Sequence, residues 1–230
     1  KIAKEKTRQY SIIKIIIMKT RILSLLMVAI AVMSFVAVGD YEQYKTIELG
    51  ANAPLSEKRL MDVSGEEYSL NDLKQANGLC VIFSCNTCPF VVGSKDNQGW
   101  EGRYNNVAKD CEKYKVGMVM VNSNEARRTA GDSMEDMKNR AKEKAFLSKY
   151  VIDNNSELAN AFGAKTTPHV FLFDSDMKLV YRGAIDDNHK NPDFVDEAFL
   201  FDAIDNLASG EEIDPADTKA TGCSIKRIKN

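Results

Sequence analysis

Residues Leu79 to Ser84 form a continuous apolar run, Leu-Cys-Val-Ile-Phe-Ser, and Cys85–Asn86–Thr87–Cys88–Pro89 follows it without a spacer. Such a run reads as a strand buried on both faces of a sheet. Pro89 suits the first turn of a helix, where the N–H it lacks would have no partner. The two cysteines are therefore expected where a buried strand passes into a helix. The first turn of a helix carries unsatisfied N–H groups and partial positive charge, which stabilise a thiolate. Thiol pKa values in such turns fall from about 8.5 to roughly 3.5–7.5. A thiolate attacks disulfides, and the spacing brings the second sulfur within reach of the first. Cys85 and Cys88 are the expected reacting residues of a redox-active dithiol. Half of a zinc site is the competing reading, but it needs a second ligand pair that the sequence does not offer. A purely structural bridge at this spacing would close a tiny loop and add little stability.

The surrounding pattern alternates strands and helices. Lys58 to Tyr68 alternates around Val63–Ser64–Gly65–Glu66, which predicts a β-hairpin. Ser69 to Leu73 reads as a capped helix start. A helix is expected from about Pro89 to Tyr114, interrupted or kinked by Gly93 and Gly99. Val116 to Val121 is a second buried strand, and Ser133 to Tyr150 is helical in composition. Ser156 to Phe162 is a short helix closed by Gly163. His169 to Asp174 and Lys178 to Gly183 form a hairpin, and Phe194 to Ala208 is a closing amphipathic helix. From Glu211 the chain reads as a polar tail. The order β-α-β-α-β-β-α, preceded by an N-terminal β-hairpin, predicts an α/β three-layer sandwich with a mixed central sheet.

Ahead of this domain, Met18–Lys19–Thr20–Arg21 precedes an apolar run from Ile22 to Val38 that ends at Gly39–Asp40. A basic region, an apolar stretch and small residues at the exit describe a secretory signal, with an uncleaved membrane anchor as the alternative. Residues 1–39 are thus expected to be an upstream extension and signal with Met18 as the true start. Residues 40–210 are the domain and 211–230 the tail. Export to the periplasm or outside the cell would suit a persistent disulfide.

A net charge of −2 over 230 residues gives no basic surplus, which argues against nucleic acid as a partner. Two scattered histidines, His169 and His189, argue against a multi-histidine metal site, and neither metal nor cofactor is expected. His169 reads as a non-catalytic loop residue and His189 as exposed. Cys80 reads as a small core residue, with Cys111 in a position to face it.

The chain resembles the redoxin, peroxiredoxin-like branch of the thioredoxin superfamily. The stretches that carry this are Val81–Ile82–Phe83 with Cys85 to Val91, Val121–Asn122–Ser123–Asn124, and Asp132–Ser133. Further on come Ala161–Phe162–Gly163–Ala164, Thr167–Pro168, Phe171 to Asp174, Leu179 to Asp187, and Gly222–Cys223–Ser224–Ile225. The resemblance implies a thioredoxin-like fold. It also implies Cys85 as attacking thiolate, Cys88 as resolving thiol, a cis Pro168, and a Thr167 backbone that pairs with a bound substrate chain. Cys223, in the matching C-terminal element, is a candidate accessory redox thiol. The Asn-Thr pair between the cysteines departs from the Gly-Pro of thioredoxin. Ser84 stands where an aromatic is usual, which would change the face offered to partners.

The expected function is an exported thiol–disulfide oxidoreductase acting on protein disulfides or thiols with a redox partner protein. The alternatives are a thiol peroxidase with Cys88 as peroxidatic residue and, further off, a copper-binding thioredoxin-like chaperone. No proline precedes Cys88 within the Leu79–Ser84 run, which argues against the peroxidase. The cysteine spacing is one residue too short for the chaperone.

Overall fold

A computed structural model describes residues 44–228. The expected export signal and the Met18 start lie outside them. Within them the central sheet has five strands: β3 (Gly78–Ser84), β4 (Val116–Asn122), β5 (Lys149–Ile152), β7 (His169–Phe173) and β8 (Leu179–Gly183). Their order is β5-β4-β3-β7-β8. β3 runs parallel to β4, and β4 to β5, while β7 is antiparallel to both β3 and β8. The sheet is mixed, as expected.

Side chains alternate across β3 and divide the core in two. Cys80 and Ile82 face α3 (Tyr104–Lys113) and α6 (Phe199–Ser209), through Tyr104, Val107, Cys111, Leu200 and Ile204. Met137 of α4 (Met134–Lys144) belongs to the same layer. Leu79, Val81 and Phe83 face the other way, onto α1 (Leu70–Leu73) and α5 (Glu157–Phe162). There Phe83, Phe162 and Phe171 pack edge to face at 5.2–5.7 Å between ring centroids. The result is the predicted three-layer sandwich.

Several elements follow from local chemistry. The hairpin is present as β1 (Leu60–Met61) and β2 (Glu67–Tyr68). Ser69 and Asp72 make a reciprocal capping box on α1, and Ser133 and Asp136 make another on α4.

Three expectations are corrected. The helix from Ser133 does not reach Tyr150: it ends at Lys144, with Ala145 left-handed at its cap. The missed strand β5 follows, because Tyr150 and Val151 bury on opposite faces and complete the open edge of β4. The closing helix begins at Phe199, since Asn191 caps a separate turn, Pro192–Phe194. Finally, the chain after Glu211 is no free tail. Thr218 N–H donates to Arg182 O at 3.0 Å and Arg182 N–H to Ala216 O at 3.0 Å, and β9 (Cys223–Ser224) pairs with β6 (Thr166–Thr167). Ile225 is buried against the second layer of the core.

Candidate redox-thiol site

β3, the central strand, delivers Cys85 just past its C-terminal end, but the helix beyond is shorter and later than expected. It is α2, Pro89–Val92, with Cys88 as its N-cap and Gly93 at φ 84° ending it. A Cβ on Gly93 would lie 2.7 Å from the Asn97 carbonyl, so the chain turns there at a glycine. After a 3-10 turn, α3 begins at Tyr104, so the expected interruption is real. Cys85 therefore does not sit in a helical first turn. Four residues also give little aligned dipole, so the state of the thiols is set by their hydrogen bonds.

The turn between the cysteines is held from below by Asp132, which is fully buried. One carboxylate oxygen accepts the Asn86 N–H at 2.7 Å and the Asn122 amide at 2.9 Å. The other accepts the Thr87 hydroxyl at 2.7 Å and the Asn124 amide at 3.1 Å. The Asn86 side chain donates to Gly131 O at 3.0 Å and accepts from the Tyr150 hydroxyl at 2.9 Å. The Asn-Thr pair is thus fitted to this anchor. Sequence reasoning assigned Asp132 no role, although Asn122, Asn124 and Asp132 all fall in the stretches that carry the family resemblance. Ser84 faces inward and shares a 2.8 Å bond with the Tyr104 hydroxyl, so it does not shape the face offered to partners.

The structure brings together Cys85, Cys88, Thr167, Pro168 and Cys223. The Thr167–Pro168 peptide is cis. Cys85 Sγ lies 3.1 Å from the Thr167 hydroxyl, and the Cys88 thiol donates to the Thr167 carbonyl at 3.2 Å. The Cys223 N–H points at Cys88 Sγ from 3.4 Å. The Cys85 and Cys88 thiols are also close enough that the ionisation of one opposes that of the other. The bond to Cys88, and then burial, push Cys85 up, so its proton stays in place. The bond from Cys85, seconded by those from Cys223, lowers Cys88 to about 5 against the cost of burial. The Thr167 carbonyl opposes that ionisation, because it can accept only from the thiol form. These contacts favour ionisation at Cys88 before Cys85, whereas the resemblance implies Cys85 as the attacking thiolate.

The Thr167 backbone is not open for a substrate chain either. Its partner across β6–β9 is Cys223.

Other singled-out residues lie apart. Cys80 and Cys111 meet inside the first core layer, where that contact and burial push the Cys80 thiol far up. His169 is a buried residue of β7 rather than a loop histidine, and its Nδ1 accepts the Lys165 N–H at 3.2 Å. His189 is half-buried instead of exposed, stacking on Phe90 of α2 and on Trp100 at centroid distances of 4.7 and 5.3 Å. The loop that carries His189 is pinned by Asp186, which accepts from the Trp100 indole at 2.6 Å and pairs with Arg103 at 2.7 Å.

A five-stranded mixed sheet flanked by helices, with two neighbouring thiols facing a cis-proline peptide, defines a thioredoxin-like protein and its candidate site. The sequence model of the Redoxin family matches residues 48–198, and the chain belongs to that family, the peroxiredoxin-like branch of the thioredoxin superfamily. An uncharacterized conserved protein from Geobacillus kaustophilus is similar at 32% identity and a TM-score of 0.72, over 81% of this chain and 95% of that one. A hypothetical protein from Sinorhizobium meliloti 1021 is 29% identical with a TM-score of 0.71, over 81% and 98% of the two chains. A candidate protein disulfide isomerase from Bacteroides thetaiotaomicron shares the fold at 15% identity and a TM-score of 0.50, over 71% and 91%. None of the curated proteins matches the chain.

Proposed function

We propose that the protein is an exported thiol–disulfide oxidoreductase that works through Cys85 and Cys88 on disulfides or thiols of proteins. The observation that carries this reading is geometric: both sulfurs lie against Thr167 of the cis Thr167–Pro168 peptide, at 3.1 and 3.2 Å, and the direction of the thiol shifts favours Cys88 as the nucleophile. The Cys88 thiolate attacks a disulfide R–S–S–R′, forming Cys88–S–S–R and releasing R′S−. Cys85 then gives up its proton, attacks Cys88 Sγ and releases RS−, leaving a Cys85–Cys88 disulfide. Two protein thiols lose two electrons, and the substrate gains two thiols. A redox partner protein resets the pair. Export is supported by the basic Met18–Arg21 segment and the apolar run behind it.

The test is turnover of insulin disulfides with a thiol reductant. Wild type is expected to accelerate it, Cys88→Ser to abolish the acceleration, and Cys85→Ser to stop after a single turnover with Cys88 held in a disulfide. Full activity of Cys88→Ser would overturn the reading.

A second reading, a thiol peroxidase, is favoured by one feature. Cys88 is the low-pKa sulfur, and Cys85 stands where peroxiredoxins place a hydroxyl donor three residues earlier. In that case hydrogen peroxide would oxidise Cys88 to a sulfenic acid, releasing hydroxide. Peroxide consumption far faster than insulin reduction would favour it.

A further inference from the structure

The edge expected to receive a substrate chain is occupied by the protein's own C-terminal segment. Cys223 lies across from Thr167, where a substrate cysteine would stand. Gly222 packs so closely that a Cβ there would fall 2.2 Å from the Thr167 carbonyl. The segment is tied on both sides. Upstream, the Thr218 hydroxyl binds the Tyr181 hydroxyl at 2.7 Å and the Ala184 N–H at 3.0 Å. Downstream, Ile225 N–H reaches Lys165 O at 3.0 Å and Lys226 N–H reaches Asn124 Oδ1 at 2.9 Å. A strand so tied is not arranged to be exchanged for a substrate chain. Beneath it Cys85 and Cys88 are only 2% and 3% exposed. Cys223, half-buried, is the outermost sulfur of the three.

Resting on the dithiol reading above, we infer that Cys223 is a third redox thiol, a relay that meets protein partners and passes their disulfides inward to Cys88. In the reducing direction the Cys223 thiolate attacks a partner disulfide, and one partner thiolate leaves. The Cys88 thiolate then attacks Cys223 Sγ of the mixed disulfide, the second partner thiolate leaves, and a Cys88–Cys223 bond forms. Cys85 loses its proton and attacks Cys88 Sγ. The Cys88–Cys223 bond breaks, Cys223 departs with the electron pair and takes up a proton, and the Cys85–Cys88 disulfide remains. The partner gains two electrons, supplied by Cys85 and Cys88, and Cys223 returns unchanged. Burial, and then the contact with Cys88, raise the Cys223 thiol to about 11, so Cys223 reacts through its small ionised fraction and Cys88 takes over the mixed disulfide. In the reverse direction Cys88 is the low-pKa leaving group from Cys223, as fast exchange requires.

The test uses the full chain as wild type, Cys85→Ser, Cys85→Ala and Cys223→Ser, each oxidised with oxidised glutathione, acid-quenched, alkylated and mapped by mass spectrometry. Both Cys85 variants are expected to form a Cys88–Cys223 bridge that dithiothreitol reverses. Cys223→Ser is expected to keep the Cys85–Cys88 bridge but reduce insulin at least about tenfold more slowly. Glutathione adducts on Cys88 with no Cys88–Cys223 bridge in either Cys85 variant would overturn the relay, as would wild-type insulin rates in Cys223→Ser. Absence of a Cys85–Cys88 bridge in the wild type would instead overturn the dithiol reading, and the relay with it.

Discussion

The carboxyl group of Asp132 accepts the backbone N–H of Asn86 at 2.7 Å, which puts a fully buried acceptor directly beneath the turn that joins the two cysteines. Four donors converge on its two oxygens. In Asp132→Asn the amide nitrogen can accept from none of the donors it faces. Each buried donor left unpaired costs about 1–3 kcal/mol. A urea midpoint well below wild type is expected, with faster alkylation of Cys85. An unchanged midpoint would show that the anchor is dispensable.

Arg103 and Asp186 form an ion pair with little exposure on either side, supported by Trp100 Nε1 and by Arg103 Nη1 donating to Gly99 O at 2.9 Å. Removing one partner strands the other charge, at a cost of about 3–5 kcal/mol. Asp186→Ala is expected to lose stability on that scale and to release His189 from its stack on Phe90. Chemical denaturation gives the first and the imidazole NMR shift the second.

Burial lowers His169 from 6.5 to about 3, with the charges of Arg182 and Lys165 adding to the effect. Between those values the unfolded chain binds a proton that the folded chain refuses. The stability of a neutral His169 is therefore complete above about pH 6.5 and is lost as pH falls toward 3. In His169→Asn this loss is absent, so the stability difference between wild type and variant should shrink on acidification. A difference independent of pH would contradict the buried neutral imidazole.

Cys88, lowered from 9.0 to about 5, acts in the same sense on the reduced protein. Between those values the unfolded thiol holds a proton that the folded chain has released, so stability rises with pH through that window and falls away toward 5. The oxidised protein has no such slope from this residue. At pH 7, limiting iodoacetamide should modify Cys88 first. Preferential labelling of Cys85 would restore the order that the resemblance implied.

Most of the scaffold could be read from the residues because its signals are local. Leu79 to Ser84 and Val116 to Val121 are apolar enough to have no other place than a buried sheet, and Ser69–Asp72 and Ser133–Asp136 state their helix starts. Lys149–Ile152 was hidden because Lys, Glu and Ala upstream carry a helical composition, and only the open edge of β4 makes it a strand. The Cys-x-x-Cys pair was visible, whereas the surroundings of its two sulfurs were not. Those surroundings are supplied by Thr167, Cys223 and Asp132, each far away in the chain. The C-terminal segment read as a tail because its burial rests on one apolar residue, Ile225, and on backbone pairing that no side-chain pattern reveals.

The proposed function turns most directly on the redox chemistry of the Cys85–Cys88 pair. The full chain would be equilibrated across a series of glutathione buffers, acid-quenched, alkylated and mapped. A Cys85–Cys88 disulfide is expected to rise and fall reversibly with the buffer as a single two-electron couple. Thiols at Cys85 and Cys88 that stay free across the series, or a Cys88 that only over-oxidises, would contradict it.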